Sequence, residues 1–150
     1  MIQETGNLID KALNLEFDVI IHGCNCQCTM GAGIAKTIRQ KFPEAYTADL
    51  QTTAGDRAKL GTISYAEVWM DQKKLTVVNA YTQFEWRGPG IKVDYGAVRS
   101  AFQLIKKQFT GMRMGYPKIG AGLAGGDWQV ISQIIDEELA GENHVYVAFE

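Results

Sequence analysis

Gly120-Ala121-Gly122-Leu123-Ala124-Gly125-Gly126 follows a strand-like run, Met112 to Ile119, and leads into a helical one that starts near Asp127. An earlier stretch, Met30-Gly31-Ala32-Gly33-Ile34-Ala35, has the same placement. It comes after the apolar run Phe17 to His22 and enters a segment where Ile34, Ala35, Ile38 and Phe42 recur at helical spacing. Glycine lets a backbone come close to a ligand, and a helix N-terminus offers free N–H groups to an anion. Two such loops point to a ligand with a diphosphate, held from both sides.

The rest of the chain fits around these loops. Thr62 to Trp69 and Leu75 to Tyr81 read as strands, and the polar turn Met70 to Lys73 makes them an antiparallel hairpin. Phe84 to Val93, with Gly88-Pro89-Gly90, reads as a loop. Val98, Phe102, Ile105 and Phe109 share a helix face. Val130, Ile131, Ile134, Ile135 and Leu139 mark the last helix, with Asp127 as its N-cap, and Val145 to Phe149 a closing strand. Pro43 either interrupts the helix after the first loop or starts another. Strands alternating with helices, plus one hairpin, predict an α/β domain with a mixed sheet. Ligands of such sheets lie beyond the strand carboxyl ends, where both loops fall.

The 150 residues read as one domain, 1–150, with 46% hydrophobic and 21% charged residues. The net charge of −2, without a basic block, gives no support for nucleic-acid or membrane binding. The N-terminus shows no signal-peptide pattern, and no apolar run approaches the roughly 18 residues of a membrane helix. Cys24, Cys26 and Cys28 are odd in number and alternate, which suits a reducing cytoplasm better than disulfides.

Individual residues carry competing readings. Gly120, Gly122 and Gly125 match G-x-G-x-x-G, but the 25 residues beyond them are too few for the second half of a nicotinamide-binding unit. The cysteine spacing is poor for zinc, so neither metal nor cofactor is expected, and the thiols read as small packing residues. A nucleophilic cysteine is the alternative, although no pattern identifies its base. His22 ends a buried strand at the ligand crevice and is either structural or a proton carrier. Asp127 is an N-cap or a group that orients water. Asp18 is a strand-start residue or an acceptor for an exocyclic amine.

In order along the chain, Thr5-Gly6-Asn7-Leu8, Asp18 to Asn25, Met30 to Ala35 and Pro117 to Leu123 together resemble the macro domain, an ADP-ribose-binding module. The resemblance implies a three-layer α/β/α fold with a mixed central sheet and ADP-ribose, or a derivative, across its top. It implies that Asp18, with Val19, meets adenine and that Asn25 meets the distal ribose. Gly31, Ala32, Gly33 and Ile34, with Gly120, Ala121, Gly122, Leu123 and Ala124, would surround the diphosphate and distal ribose. Phe149 is the candidate to stack on adenine. Nothing in the residues names a protein partner.

His22-Gly23-Cys24-Asn25-Cys26 is most similar to the branch that removes phosphate from ADP-ribose 1″-phosphate. That likeness implies His22 as acid, base or water-positioning group, Asn25 as ribose-orienting group and Asp127 as a secondary catalytic candidate. The branch that cleaves terminal ADP-ribose from proteins uses a lysine where Val77 to Gln83 has none, and an acid where Ala124 stands, unless Asp127 substitutes. Hydrolysis of ADP-ribosyl or O-acyl adducts is the enzymatic rival, and a reader without turnover is the rival of another class.

Overall fold

The computed structural model describes residues 1–149. One six-stranded sheet has the order β1-β6-β5-β2-β4-β3. Its strands are β1 (Ile2–Gly6), β2 (Val19–Cys24), β3 (Ile63–Met70), β4 (Lys73–Tyr81), β5 (Met114–Tyr116) and β6 (His144–Phe149). All neighbours are parallel except β3 and β4, which form the expected hairpin. Asp71, at φ +57°, supplies the left-handed residue of its turn.

The helices are α1 (Leu8–Leu13), α2 (Gly33–Lys41), α3 (Pro43–Leu50), α4 (Tyr95–Phe109) and α5 (Trp128–Glu138). Pro43 starts α3, a first-turn position where its missing N–H costs nothing. Asp94 and Asp127 cap α4 and α5 through their side chains, accepting from Ala97 N and Gln129 N.

Side chains of β2 alternate between two cores. Val19 and Ile21 pack with Val98, Phe102 and Ile105 of α4 and Ile131 and Ile135 of α5. Ile20 and Cys24 pack with Leu8, Ile9, Ile38 and Ala45 of α1, α2 and α3. Helices therefore cover both faces, as the three-layer expectation required. Each fully buried aliphatic side chain contributes about 1.5–3 kcal/mol of burial energy.

This topology gathers the carboxyl ends of β1, β2, β4, β5 and β6 at one edge of the sheet. Their last residues lead into Asn7, Asn25, Thr82, Pro117 and the chain end, respectively. No helix among the described residues is long and apolar enough to cross a membrane.

Candidate functional site

Two cavities open along that edge. The first, of about 570 Å³, lies between the two glycine loops. The second, of about 580 Å³, lies between α1, α2 and the end of β6. Ile34, Pro117 and Lys118 line both, so the cavities adjoin as one crevice.

The first loop ends at a helix N-terminus without a side-chain cap. Ala32, the N-cap of α2, supplies no side-chain acceptor. The N–H groups of the first helical turn are left without the cap that α4 and α5 possess. Gly33, Ile34 and Ala35 line the first cavity there. The uncapped turn presents free donors and the positive end of the helix dipole to whatever fills the crevice.

The second loop forms the opposite wall. Gly126 N bonds to Gly120 O at 2.8 Å, and Lys92 N bonds to Ala124 O at 2.8 Å, tying the loop to the segment before α4. Gly120 has φ +72°, and a Cβ there would lie 2.7 Å from Val93. Gly122 faces open space, with nothing within 4 Å of the position a Cβ would take. Gly120, Gly122, Leu123 and Ala124 line the cavity. Ala121 does not line it and packs against the α4–α5 core.

Asn25 lines the first cavity from the turn after β2. Its Oδ1 accepts from Gln27 N at 2.8 Å and its Nδ2 donates to Thr29 Oγ1 at 2.9 Å, which fixes the side chain. Phe149 lines the second cavity and is 81% exposed.

Besides Ala121, four expected site residues lie outside both cavities. Asp18 precedes β2 at the amino end, about 20 Å of strand away from Asn25. Arg113 holds it by the side chain, at 3.0 and 3.2 Å, and by the backbone N–H at 2.8 Å. These bonds keep its carboxyl below the usual carboxylate range. Val19, beside it, is fully buried in the α4–α5 core. Asp127 spends its carboxylate on the α5 N-cap, with its own N–H bound to Tyr95 Oη, and does not line either cavity.

His22 is the fourth. Strand alternation turns it under α3, and it is completely buried. Asn79 Nδ2 donates to Ala45 O at 2.9 Å, and that carbonyl only accepts, so Asn79 Oδ1 must face His22. His22 Nε2 therefore carries the proton and donates to it at 2.7 Å. Burial pushes the imidazole down to about pH 4, with the Asn79 bond and the Asp49 charge only partly opposing. A neutral ring walled off from the crevice is not its acid or base.

The sequence reading missed other lining groups. Asn7, at the carboxyl end of β1, lines the second cavity while its Oδ1 caps α1 through Ile9 N and Asp10 N. Its place at a strand end was the available signal. Thr82, Gln83, Trp86 and Lys92 line the first cavity from the segment between β4 and α4. Cys24 and Asp49 line it from beneath. Burial pushes the Cys24 thiol well up, which disfavours the thiolate that a nucleophile needs. Asp49 carried no signal: in sequence it is one polar residue of a short helix.

The macro domain family model matches residues 21–135 of this fold. The chain belongs to the macro domain family. It is 37% identical over 130 residues to an uncharacterized 17.5 kDa protein of Enterobacteria phage T4, a match spanning 83% of this chain and 82% of that one. It is 23% identical over 125 residues to a DNA ADP-ribosyl glycohydrolase of Mycobacterium tuberculosis, 81% of this macro domain but 34% of that protein. A 41-residue stretch, 27% of this chain and 15% of the other, is 46% identical to an ADP-ribose 1″-phosphate phosphatase of Ajellomyces capsulatus. Among solved structures, the macrodomain of M. tuberculosis DarG superposes with TM-score 0.76 at 19% identity, covering 99% and 97% of the two chains. The Trypanosoma brucei macrodomain in complex with ADP-ribose gives TM-score 0.66 at 15% identity, covering 99% and 63%.

Proposed function

We propose that this macro domain binds ADP-ribose along the joined cavities and hydrolyses a substituent on the terminal ribose, with ADP-ribose 1″-phosphate as its first substrate. The uncapped N-terminus of α2 carries the reading. It lies at the junction of the cavities, where the diphosphate of an ADP-ribose stretched along the crevice would fall, and it offers free N–H groups to that anion. The adenosine half then lies toward Asn7 and Phe149, and the terminal ribose toward Asn25.

The 46% identical stretch shared with a phosphatase of ADP-ribose 1″-phosphate favours the phosphomonoester. Loop N–H groups that neutralise phosphate charge supply the main stabilisation of the transition state. His22 and Asp127 take no part in proton transfer. Asn25 keeps its expected role of orienting the ribose.

The similarity to a DNA ADP-ribosyl glycohydrolase favours a second substrate class, ADP-ribosyl adducts. Against a lysine-based version stands the stretch Val77 to Gln83, which has no lysine and whose last residue, Gln83, lines the cavity. Asp127, committed to its helix, does not replace the missing acid.

Incubating the purified protein with ADP-ribose 1″-phosphate should release inorganic phosphate and ADP-ribose. ADP-ribose released only from an ADP-ribosylated macromolecule would transfer the activity to the second class. Binding of ADP-ribose with neither turnover would make the domain a reader.

A further inference from the structure

Beneath the first cavity runs a chain of buried polar groups that the proposed reaction has not used. His22 Nε2 donates to Asn79 Oδ1. Asn79 Nδ2 donates to Ser64 Oγ at 3.0 Å. Ser64 Oγ and Tyr81 Oη are 2.7 Å apart, and Tyr81 donates to Asp49 Oδ1 at 2.6 Å. The Tyr81 proton is spent on Asp49, so the Ser64 hydroxyl must donate to Tyr81. Burial, then the bond to Asp49, pushes the Tyr81 phenol upward and keeps it a donor. Every bond in the chain points the same way and ends on Asp49.

Lys59, itself buried, lies 3.6 Å from the same Oδ1. That oxygen is satisfied twice. Asp49 is 1% exposed, and it lines the cavity beside Cys24, Asn25 and Thr29. Its other oxygen, Oδ2, has no protein partner among the described residues, yet no buried side-chain polar atom is sealed off without a partner. Oδ2 therefore looks into the cavity. It is an acceptor in a fixed position, and it fits a ligand group that donates a hydrogen bond and repels one that brings only acceptor oxygens.

We propose that Asp49 is a specificity-determining residue whose Oδ2 accepts a hydrogen bond from a hydroxyl of the ligand's terminal sugar. The proposal rests on the ADP-ribose reading. ADP-ribose brings ribose hydroxyls to this end of the crevice, whereas ADP ends in phosphate oxygens. The one-way donor chain and Lys59 hold the carboxylate in place before the ligand arrives.

Calorimetry with ADP-ribose and with ADP, on the unmodified protein and on Asp49→Asn, tests this. The amide keeps the shape, and its oxygen stays on Tyr81, so it turns an uncharged NH₂ toward the cavity. ADP-ribose should bind the variant about 10–100-fold more weakly, the scale of a hydrogen bond to a charged group. ADP should bind the variant no more weakly than the unmodified protein, because its contacts lie at the α2 N-terminus and beyond and it loses no hydrogen bond to Asp49. Equal affinity of the folded variant for ADP-ribose overturns the proposal, and so does an equal loss for both ligands, which would make Asp49 merely structural. If Asp49→Asn does not fold, the affinity of Asn25→Ala, which lacks the other ribose-orienting side chain, is compared for ADP-ribose and for an analogue whose terminal ribose lacks its hydroxyls. An about 10–100-fold loss on removing the hydroxyls supports the proposal, and no loss overturns it. Failure of the unmodified protein to bind ADP-ribose at all would instead remove the functional reading beneath it.

Discussion

At the floor of the first cavity Asp49, Tyr81 and Lys59 are nearly sealed from solvent and bound to one another, whereas at its rim Leu123 and Trp86 stand 82% and 45% exposed. The floor has its hydrogen bonds and its ion pair in place before any ligand arrives. At the rim the Arg87 guanidinium stacks over Trp86, 4.7 Å from its ring centre, and pairs with Glu85 at the surface. Ordered groups lose little entropy on binding, while mobile ones must be immobilised at a cost. On the proposed reading, selectivity resides in the floor.

The difference is largest at Lys59. Lys59→Met removes the cation from a buried carboxylate and should lower unfolding stability by about 3–5 kcal/mol, read by urea denaturation. Unchanged stability would mean that water reaches Asp49 freely, and the contrast between floor and rim would vanish.

Acid should weaken the floor next. His22 titrates near pH 4 when folded and near 6.5 when unfolded, so between these values the unfolded chain binds more protons. The stability is fully present above pH 6.5 and is lost as pH falls to 4, by about 3 kcal/mol. His144 is also held low and titrates in an overlapping window. The isolating measurement is therefore the difference between the unmodified protein and His22→Gln. The variant should show the shallower fall, and identical slopes would place His22 in contact with solvent.

At the rim the effect should be smallest. Leu123→Ala should change stability by less than about 0.5 kcal/mol, as exposed substitutions do. Its ADP-ribose affinity, measured by calorimetry, should stay within about threefold. A larger loss would make Leu123 part of the fixed site.

The contrast also marks what could be read before folding. Glycine loops after apolar runs located the crevice, because strand periodicity and glycine placement are local signals. The hairpin, the mixed sheet and the Asp127 cap were legible for the same reason. Asp18 and His22 were misplaced because a strand's existence is local but its direction and face are not. Only the parallel pairing of β2 with β4 and β5 assigns Asp18 to the far end of the sheet. Only the alternation of β2 between two cores turns His22 away from the crevice. Asp49, Lys59 and Tyr81 come from α3, the 3₁₀ turn Arg57–Lys59 and β4, and no spacing in the chain announces their meeting.

The most direct test of the central claim is calorimetry with ADP-ribose on the unmodified protein and on Gly122→Glu. The Cβ position at Gly122 is open, so the variant should fold and melt as the unmodified protein does. Its carboxylate would stand in the cavity opposite the α2 N-terminus and repel the diphosphate. One ADP-ribose should bind per unmodified chain, and none should be detected on the folded variant. No binding by the unmodified protein, or equal binding by both, would contradict the claim.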